Sequence, residues 1–356
     1  MKLLRNIRLF IGWVYKIICV GIRNRNIVKA HRSFLKGGTY KNSLTGDYIY
    51  EKSSPSYLKA QTFSSLSQCN NFIDMLLNLL VDLFMYRVRE NGEKKFQGTE
   101  MILSSSKTET KIFSIDNNEV LTKYKDVEKL KRVELDKKYF GQFFNVPETK
   151  TVNIEECYVV EKFIAHKKFE PVNAFSYFSE VLINYLYAIR DTISYDEAGD
   201  EKKIKKFSNY VGDSKMLHRV VGLPKLMVHG DFWNFNVIYD GRKYYLIDYE
   251  KKGVRFFLYD YLCFIFSEYT LLNNNRLLKT YLSGGFDETL SEMFGAIGCR
   301  FNEKMREVYF LAFLVEILNE RPWSKVLSNE LVGGLLRTYL PKYFQLDEEN
   351  NSNNRS

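Results

Sequence analysis

The stretch from Leu226 to Glu250 constrains this chain more than any other part of its sequence. It contains two short apolar runs on either side of the turn signal Asp240-Gly241, which is the pattern of a β-hairpin. We predict strands over Val237–Tyr239 and Tyr244–Ile247. His229, Asp231 and Asn236 stand before the first run, and Asp248 directly follows the second.

The spacing of these polar residues is typical of phosphoryl transfer. Transfer from ATP needs one carboxylate that orients the attacking hydroxyl, together with oxygen ligands for Mg²⁺. Asp231 would supply that carboxylate, and Asn236 and Asp248 would hold Mg²⁺. Asp and Asn are also common at turns, so a hairpin with incidental polar ends is the alternative. All four residues in register with two strands favour the functional interpretation.

At these residues the chain resembles the aminoglycoside phosphotransferase and choline kinase branch of the protein-kinase-like fold. The signature of that branch is His-Gly-Asp-x-x-x-x-Asn followed by Ile-Asp, an aromatic residue and an acid. It is matched by His229-Gly230-Asp231, by Asn236 and by Ile247-Asp248-Tyr249-Glu250. The resemblance implies that Asp260, in Tyr259-Asp260-Tyr261-Leu262, supports the catalytic loop without touching substrate. It also implies that His229 holds this loop by hydrogen bonding, and favours that role over a general base.

The resemblance implies an α+β fold with two lobes, a small antiparallel β N-lobe and a mainly helical C-lobe, here with an added N-terminal helical extension. We place the basic amphipathic extension at 1–95, the N-lobe and hinge at 96–164, the helical C-lobe with the catalytic loop at 165–346 and a polar, disordered tail at 347–356. Strands are predicted at Met101–Leu103, Lys111–Ile115, Glu119–Tyr124 and Cys157–Ile164. Helices are predicted at Phe72–Val88, Lys125–Phe140, Ala174–Ile193, Phe256–Leu272, Glu303–Asn319 and Ser328–Tyr343.

The ATP-binding residues are expected in the N-lobe. Lys123 occupies the place of the strand lysine that holds the ATP phosphates in kinases. Glu134, or less favourably Glu128, would pair with it, although either could be a surface residue with helical partners. No Gly-x-Gly-x-x-Gly precedes Lys123, so Ser105 and Ser106 are the candidates for phosphate contacts. Backbone groups between Glu161 and Phe163 would meet adenine at the hinge.

The positive charge of the chain is concentrated at its N-terminus. Residues 1–46 hold ten Lys or Arg and no Asp or Glu, and they account for the whole net charge of +9. Leu3–Ile22 is apolar with interspersed basic residues, too interrupted for a confident membrane span or a signal peptide. It predicts either a helix on an anionic membrane surface, with Trp13 and Tyr15 as interfacial residues, or a helix packed on the protein body. The features of a nucleic-acid site are weak here, and none is expected.

The remaining features bear on the compartment and the acceptor. Five scattered cysteines form neither a disulfide framework nor a zinc motif, which fits the reducing cytoplasm, with the inner face of the membrane as an option. The acidic stretch Tyr195–Glu201 is predicted to be a solvated loop. An apolar helix is predicted to begin soon after Asp248, and no Ala-Pro-Glu motif stands before it. Little surface therefore remains on which a peptide substrate could bind. The expected acceptor is a small molecule, a sugar or a lipid-linked glycan precursor, and the alternative function is a catalytically silent pseudokinase scaffold at the membrane surface.

Overall fold

The computed structural model describes residues 2–42, 48–51, 85–89, 94–103, 109–211 and 217–320, together with Gly334 and Thr338. The chain divides into two compact units. The first comprises residues 1–134 and 147–165, and the second comprises residues 135–146 and 166–356. The first unit carries an eight-stranded sheet and the second is mainly helical, so the predicted α+β class is confirmed.

The sheet of the first unit is antiparallel throughout. Its spatial order is β3-β1-β2-β4-β5-β6-β8-β7. The predicted strands from Met101 onward are present, shifted by no more than a few residues at their ends. The strands are β1 Gly38–Asn42, β2 Tyr48–Glu51, β3 Tyr86–Val88, β4 Glu100–Leu103, β5 Glu109–Ser114, β6 Glu119–Tyr124, β7 Thr149–Asn153 and β8 Tyr158–Lys162.

The C-terminal part of helix α1 (Lys2–Ala30) packs on one face of this sheet, which we call the α1 face. Val28 packs in one core with Phe34 and with strand residues of the α1 face, including Ile49, Met101, Ile112 and Leu121. Ile17, Gly21 and Asn24 are buried on the same stripe of the helix. The helix is therefore packed on the protein body along that stripe.

Helix α2 (Val127–Phe140) packs on the opposite face of the sheet, which we call the α2 face. Leu130 and Val133 form a small core there with Tyr124 of β6 and Val159 of β8. Because side chains alternate along a strand, the two faces have separate sets of residues, and this separation decides where each polar side chain of the first unit points.

The second unit builds its core from helices and two small two-stranded antiparallel sheets. Strand β9 (Lys225–Val228) pairs with β12 (Gly253–Phe256), and β10 (Val237–Tyr239) pairs with β11 (Tyr244–Leu246). The predicted hairpin is thus present, one residue shorter at its end. The helices are α3 Pro171–Ile189, α4 Glu197–Val211, α5 Tyr259–Leu272, α6 Arg276–Leu282, α7 Asp287–Ala296 and α8 Arg306–Glu320.

Two sequence predictions were wrong. The last residues of the predicted helix Phe72–Val88 form strand β3, which pairs with β1. Residues 72–84 lie outside the described residues. Tyr195–Glu201 is not a solvated loop, because it runs into α4 and Asp200 is buried against Lys225, whose ammonium contacts its carboxylate. The tail 347–356 and, apart from Gly334 and Thr338, the predicted helix Ser328–Tyr343 lie outside the described residues.

The described part of the chain contains no helix that is both long and apolar enough to cross a bilayer.

Candidate active site

The β10–β11 hairpin brings Asn236 and Asp248 to the same end. Asn236 precedes β10, Val237 pairs with Leu246, and the N–H of Ile247 donates to the carbonyl oxygen of Asn236 at 3.0 Å. Asp248 follows directly, with a φ of 66° that is unusual for a residue with a side chain. Such conformations concentrate at functional sites, where the surrounding structure maintains them. The local hairpin sequence therefore accounts for the convergence of two predicted ligands.

Asp231 lies in the loop before this hairpin and contacts Asn236 directly. The Asn236 amide Nδ2 donates to the Asp231 carbonyl oxygen at 2.8 Å and to its Oδ2 at 3.2 Å. On its other side, Oδ1 of Asp231 lies 3.6 Å from the Lys251 ammonium. Asp231 is 8% exposed and Lys251 is about half exposed. The carboxylate is thus oriented by an amide on one side and a cation on the other.

His229 is fully buried behind this loop. Its Nδ1 accepts the N–H of Asp231 at 3.2 Å, and its ring packs on Phe140, Phe232 and Tyr249. Burial lowers the pKa of His229 below its usual value, although the carboxylates of Asp260, Asp231 and Asp248 oppose this effect. The ring is therefore neutral near pH 7, and its Nδ1 holds the loop through the Asp231 N–H.

Asp260, near the start of α5, fixes the beginning of the loop. It accepts the backbone N–H of His229 at 2.7 Å and that of Gly230 at 2.9 Å, which is the supporting role expected for it. Gly230 has a φ of 80°, and a Cβ there would clash with the Lys251 carbonyl oxygen and the Arg255 guanidinium. Glycine is therefore required at this position.

A second support from α5 was not foreseen. Glu268 is buried, and its carboxylate accepts the Asn234 amide Nδ2 at 3.1 Å and the Asn274 amide Nδ2 at 3.2 Å. Burial raises its pKa, and the two amide donors oppose that rise. Asp260 and Glu268 are eight residues apart on an otherwise apolar helix, and this spacing is the signal that could have found Glu268.

The segment after Asp248 is held in place by two basic residues. Arg255 donates to the Lys251 carbonyl oxygen at 2.7 Å, and its guanidinium lies 4.8 Å from the centre of the Tyr259 ring. The Lys252 ammonium lies 2.5 Å from buried Asp136. These contacts fix the backbone that presents Lys251 to Asp231.

The described part of the first unit contains Lys123, Glu134, Glu161 and Phe163, whereas Ser105 and Ser106 lie outside the described residues. The Lys123 ammonium donates to the carbonyl oxygen of Glu156 on the α1 face. Glu134 is half-buried on α2, and its pairing with Lys123 stays a prediction. The Phe163 N–H donates to Asn118 at 2.8 Å, and Glu161 pairs with Val120 within the sheet.

The residues around the hairpin suit Mg²⁺ in donor chemistry. Because the Asn236 amide nitrogen is bonded to Asp231, its oxygen is the end that remains for a cation. With the Asp248 carboxylate this makes two oxygen donors, the kind that Mg²⁺ prefers when substrate phosphates complete its coordination. Among the described residues no group of three His, Cys, Asp or Glu side chains forms a metal cage. Asn236 and Asp248 therefore fit a metal that is shared with a phosphorylated substrate.

The solved structures that this chain matches do so at low identity, with TM-scores between 0.34 and 0.43 for the three described here. Similar solved structures include a choline/ethanolamine kinase family protein from Mesorhizobium loti, with 16% identity over 62% of this chain and 81% of that chain and a TM-score of 0.34. Choline kinase LicA from Streptococcus pneumoniae is 12% identical over 67% and 92% of the chains, with a TM-score of 0.38. A glucosamine kinase is 10% identical over 68% and 82%, with a TM-score of 0.43. No model of a protein family and no curated protein matches the sequence.

Proposed function

We propose that this chain is an ATP- and Mg²⁺-dependent phosphotransferase whose acceptor is a hydroxyl of a small molecule, a sugar or a membrane-borne glycan or lipid precursor. The observation that carries the proposal is the placement of Asp231, Asn236 and Asp248 around one hairpin end, with Asn236 bonded to Asp231. These three side chains have the chemistry that phosphoryl transfer demands of a protein.

In the proposed reaction Asp231 orients the acceptor hydroxyl and takes its proton. The acceptor oxygen forms a bond to the γ-phosphorus, the bond from that phosphorus to the bridging oxygen breaks, and ADP leaves. Asn236 and Asp248 would hold Mg²⁺, which neutralises phosphate charge when bound. Lys251, beside Asp231, adds a positive charge next to the reacting groups. Neutral His229 keeps the loop in place.

A small acceptor is supported by the short segment after Asp248. Within the continuous described stretch 217–320, Gly253–Phe256 pairs with β9 and α5 begins at Tyr259. Most of this segment is part of a strand or a helix, so it offers no long surface on which a peptide substrate could bind. Phe235, 61% exposed between Asp231 and Asn236, gives an acceptor an apolar surface instead.

We also propose that α1 lies on an anionic membrane surface at the inner face of the membrane. Opposite its packed stripe, the helix exposes Tyr15, Ile18 and Ile22, with Arg25 and Lys29 further along. Exposed apolar side chains beside basic ones are the features of an interfacial helix. ATP and the free thiols of Cys19, Cys157, Cys263 and Cys299 suit a cytoplasmic protein.

The test of the enzyme uses purified full-length protein with MgATP and pooled metabolite and lipid extracts, with mass spectrometry detecting an added phosphate. Asp231→Ala should abolish product while MgATP still binds, and Asp248→Ala should weaken MgATP binding. Asp191→Ala, which removes a carboxylate whose side chain is 96% exposed, is the matched control. Turnover of Asp231→Ala at the wild-type rate would refute the assignment. Tight MgATP binding with no product from any extract would favour the pseudokinase scaffold.

A further inference from the structure

Two lysines on neighbouring strands of the first unit point to opposite faces of the sheet. Lys111 of β5 is paired with Thr122 of β6, and Thr110 is paired with Lys123. Directly paired residues share a face, and successive residues along a strand alternate between faces. Lys111 and Thr122 therefore share one face, and Lys123 lies on the other.

Lys123 belongs to the α1 face. Its ammonium donates to the Glu156 carbonyl oxygen and lies 5.8 Å from the centre of the Phe34 ring. Phe34 in turn packs edge-to-face on Tyr158, the strand partner of Lys123, with ring centres 5.4 Å apart. Burial is the main cause that lowers the pKa of His31, and the charge of Lys123 adds to it. Lys123 thus joins the sheet to the segment that follows α1.

Lys111 belongs to the α2 face. Its ammonium lies 3.6 Å from Oε1 of Glu109, two residues earlier on the same strand. Oε2 of Glu109 lies 3.8 Å from the ammonium of Lys129, on the first turn of α2. The side chain of Glu109 is 12% exposed, and that of Lys111 is 32% exposed. The α2 face therefore carries a lysine that is braced by a largely buried carboxylate and still reaches solvent.

In protein kinases the lysine that neutralises the ATP phosphates forms an ion pair with a glutamate of a helix of the same lobe. Here α2 packs on the α2 face, and Glu109, which lies between Lys111 and Lys129 of α2, would take the place of that glutamate. Lys123 is on the wrong face for contact with α2, whereas Lys111 starts directly across from Thr122, the neighbour of Lys123.

We propose that Lys111, oriented by Glu109, is the lysine that binds the phosphates of the nucleotide, and that Lys123 has a structural role. This inference rests on the proposed phosphotransferase function. It moves the phosphate-binding ammonium from one strand to the adjacent strand without changing the register of the sheet. It also removes the requirement that Glu134 pair with Lys123.

The test is isothermal titration calorimetry of MgATP with full-length protein and matched lysine variants. Lys111→Met should weaken MgATP binding by about tenfold to a hundredfold, the range for loss of a charge-assisted hydrogen bond. Lys123→Met should lower the Tm yet keep the MgATP affinity within about threefold of wild type. Lys150→Met is the control, because Lys150 is a comparably exposed lysine, paired with Glu119 in the same sheet.

A strand swap guards against a variant that simply fails to fold. The double variant Lys111→Thr with Thr122→Lys keeps one lysine on the α2 face, so it should bind MgATP more tightly than Lys111→Thr alone. The inference is overturned if Lys111→Met binds MgATP as tightly as wild type. Loss of MgATP affinity in Lys123→Met would assign the phosphate-binding role to Lys123 instead. A wild-type chain that does not bind MgATP would refute the proposed function itself, which separates the two failures.

Discussion

The carboxylate of Asp260 accepts the backbone N–H of His229 at 2.7 Å, across thirty-one residues of sequence. A second bond from the Gly230 N–H, at 2.9 Å, makes this one side chain the acceptor for two successive N–H groups at the start of the loop that carries Asp231. Asp260 is only 2% exposed. Burial raises its pKa, while His229, the two N–H donors and Arg255 oppose that rise. The loop is therefore held by a buried acceptor whose loss cannot be replaced by water.

We expect Asp260→Ala to lower the free energy of unfolding by about 3 kcal/mol, because two buried N–H groups lose a charged acceptor. Turnover should fall as well, since the loop that positions Asp231 is no longer fixed. Urea denaturation and the phosphotransfer assay measure the two effects. Asp191→Ala removes an exposed carboxylate of the same unit and should change neither. Wild-type turnover in Asp260→Ala would contradict the supporting role.

The buried histidine predicts a loss of stability in mild acid. The pKa of His229 is lowered in the folded state, so below about pH 6.5 the unfolded chain binds a proton that the folded chain excludes. The stability that depends on the neutral ring is complete above the unfolded pKa and is lost as pH falls towards the folded pKa. Burial also lowers the pKa of His31 and of His166, so they act in the same direction.

His229→Asn should reduce this dependence on pH, because the variant cannot take up the proton on unfolding. The slope of unfolding free energy against pH should fall by at most about 1.4 kcal/mol per pH unit, the limit for one proton. Denaturation series between pH 7.5 and 5.5 measure it, in buffers of about equal ionic strength. His218→Asn, at an exposed histidine, is the control. An unchanged slope in His229→Asn would mean that another group carries the acid sensitivity.

The β10–β11 hairpin could be predicted from sequence because the residues that specify it are neighbours in the chain. The Asp240-Gly241 turn, the two short runs and the polar residues at their ends all lie within one short stretch, and the structure reproduces them. The role of Asp260 came from a family resemblance. The sequence did not predict side-chain contacts between residues that are far apart in the chain. The hydrogen bond from Asn234 to Glu268 is an example.

The face on which Lys123 lies could not be predicted because it depends on what covers the sheet. A strand residue can face either side, and only the packing of α1 and α2 distinguishes them. Asp200 shows the same limit, since an acidic stretch looks solvated until Lys225 of a distant strand is placed against it. Residues 38–51 show little periodicity, so β1 and β2 were not foreseen.

Lys251 and Lys252 are adjacent in sequence, but we expect Lys251 to affect turnover and Lys252 to affect stability. Lys251→Met removes a half-exposed ion pair, so stability should change by no more than about 0.5 kcal/mol. Turnover should fall by about tenfold, because the cation beside Asp231 is lost. Lys252→Met leaves buried Asp136 without its 2.5 Å partner and should cost about 2 kcal/mol of stability. Steady-state kinetics and urea denaturation of both variants measure this contrast. Equal effects of the two changes on turnover would contradict a direct role for Lys251.

The exposed side of α1 should bind anionic vesicles. Ile18 and Ile22 are 38% and 54% exposed, so the double change Ile18→Asn with Ile22→Asn removes apolar surface without opening the core that Val28 forms on the other side. Co-sedimentation with phosphatidylglycerol vesicles should be strong for wild type, weak for this variant and weaker at high salt, because the basic residues of α1 contribute through screened attraction. Ile154→Asn, at a position 50% exposed in the β7–β8 turn, should bind like wild type. If wild-type protein stays in the supernatant at low salt, α1 does not bind membranes and its role is to pack on the sheet through its buried stripe.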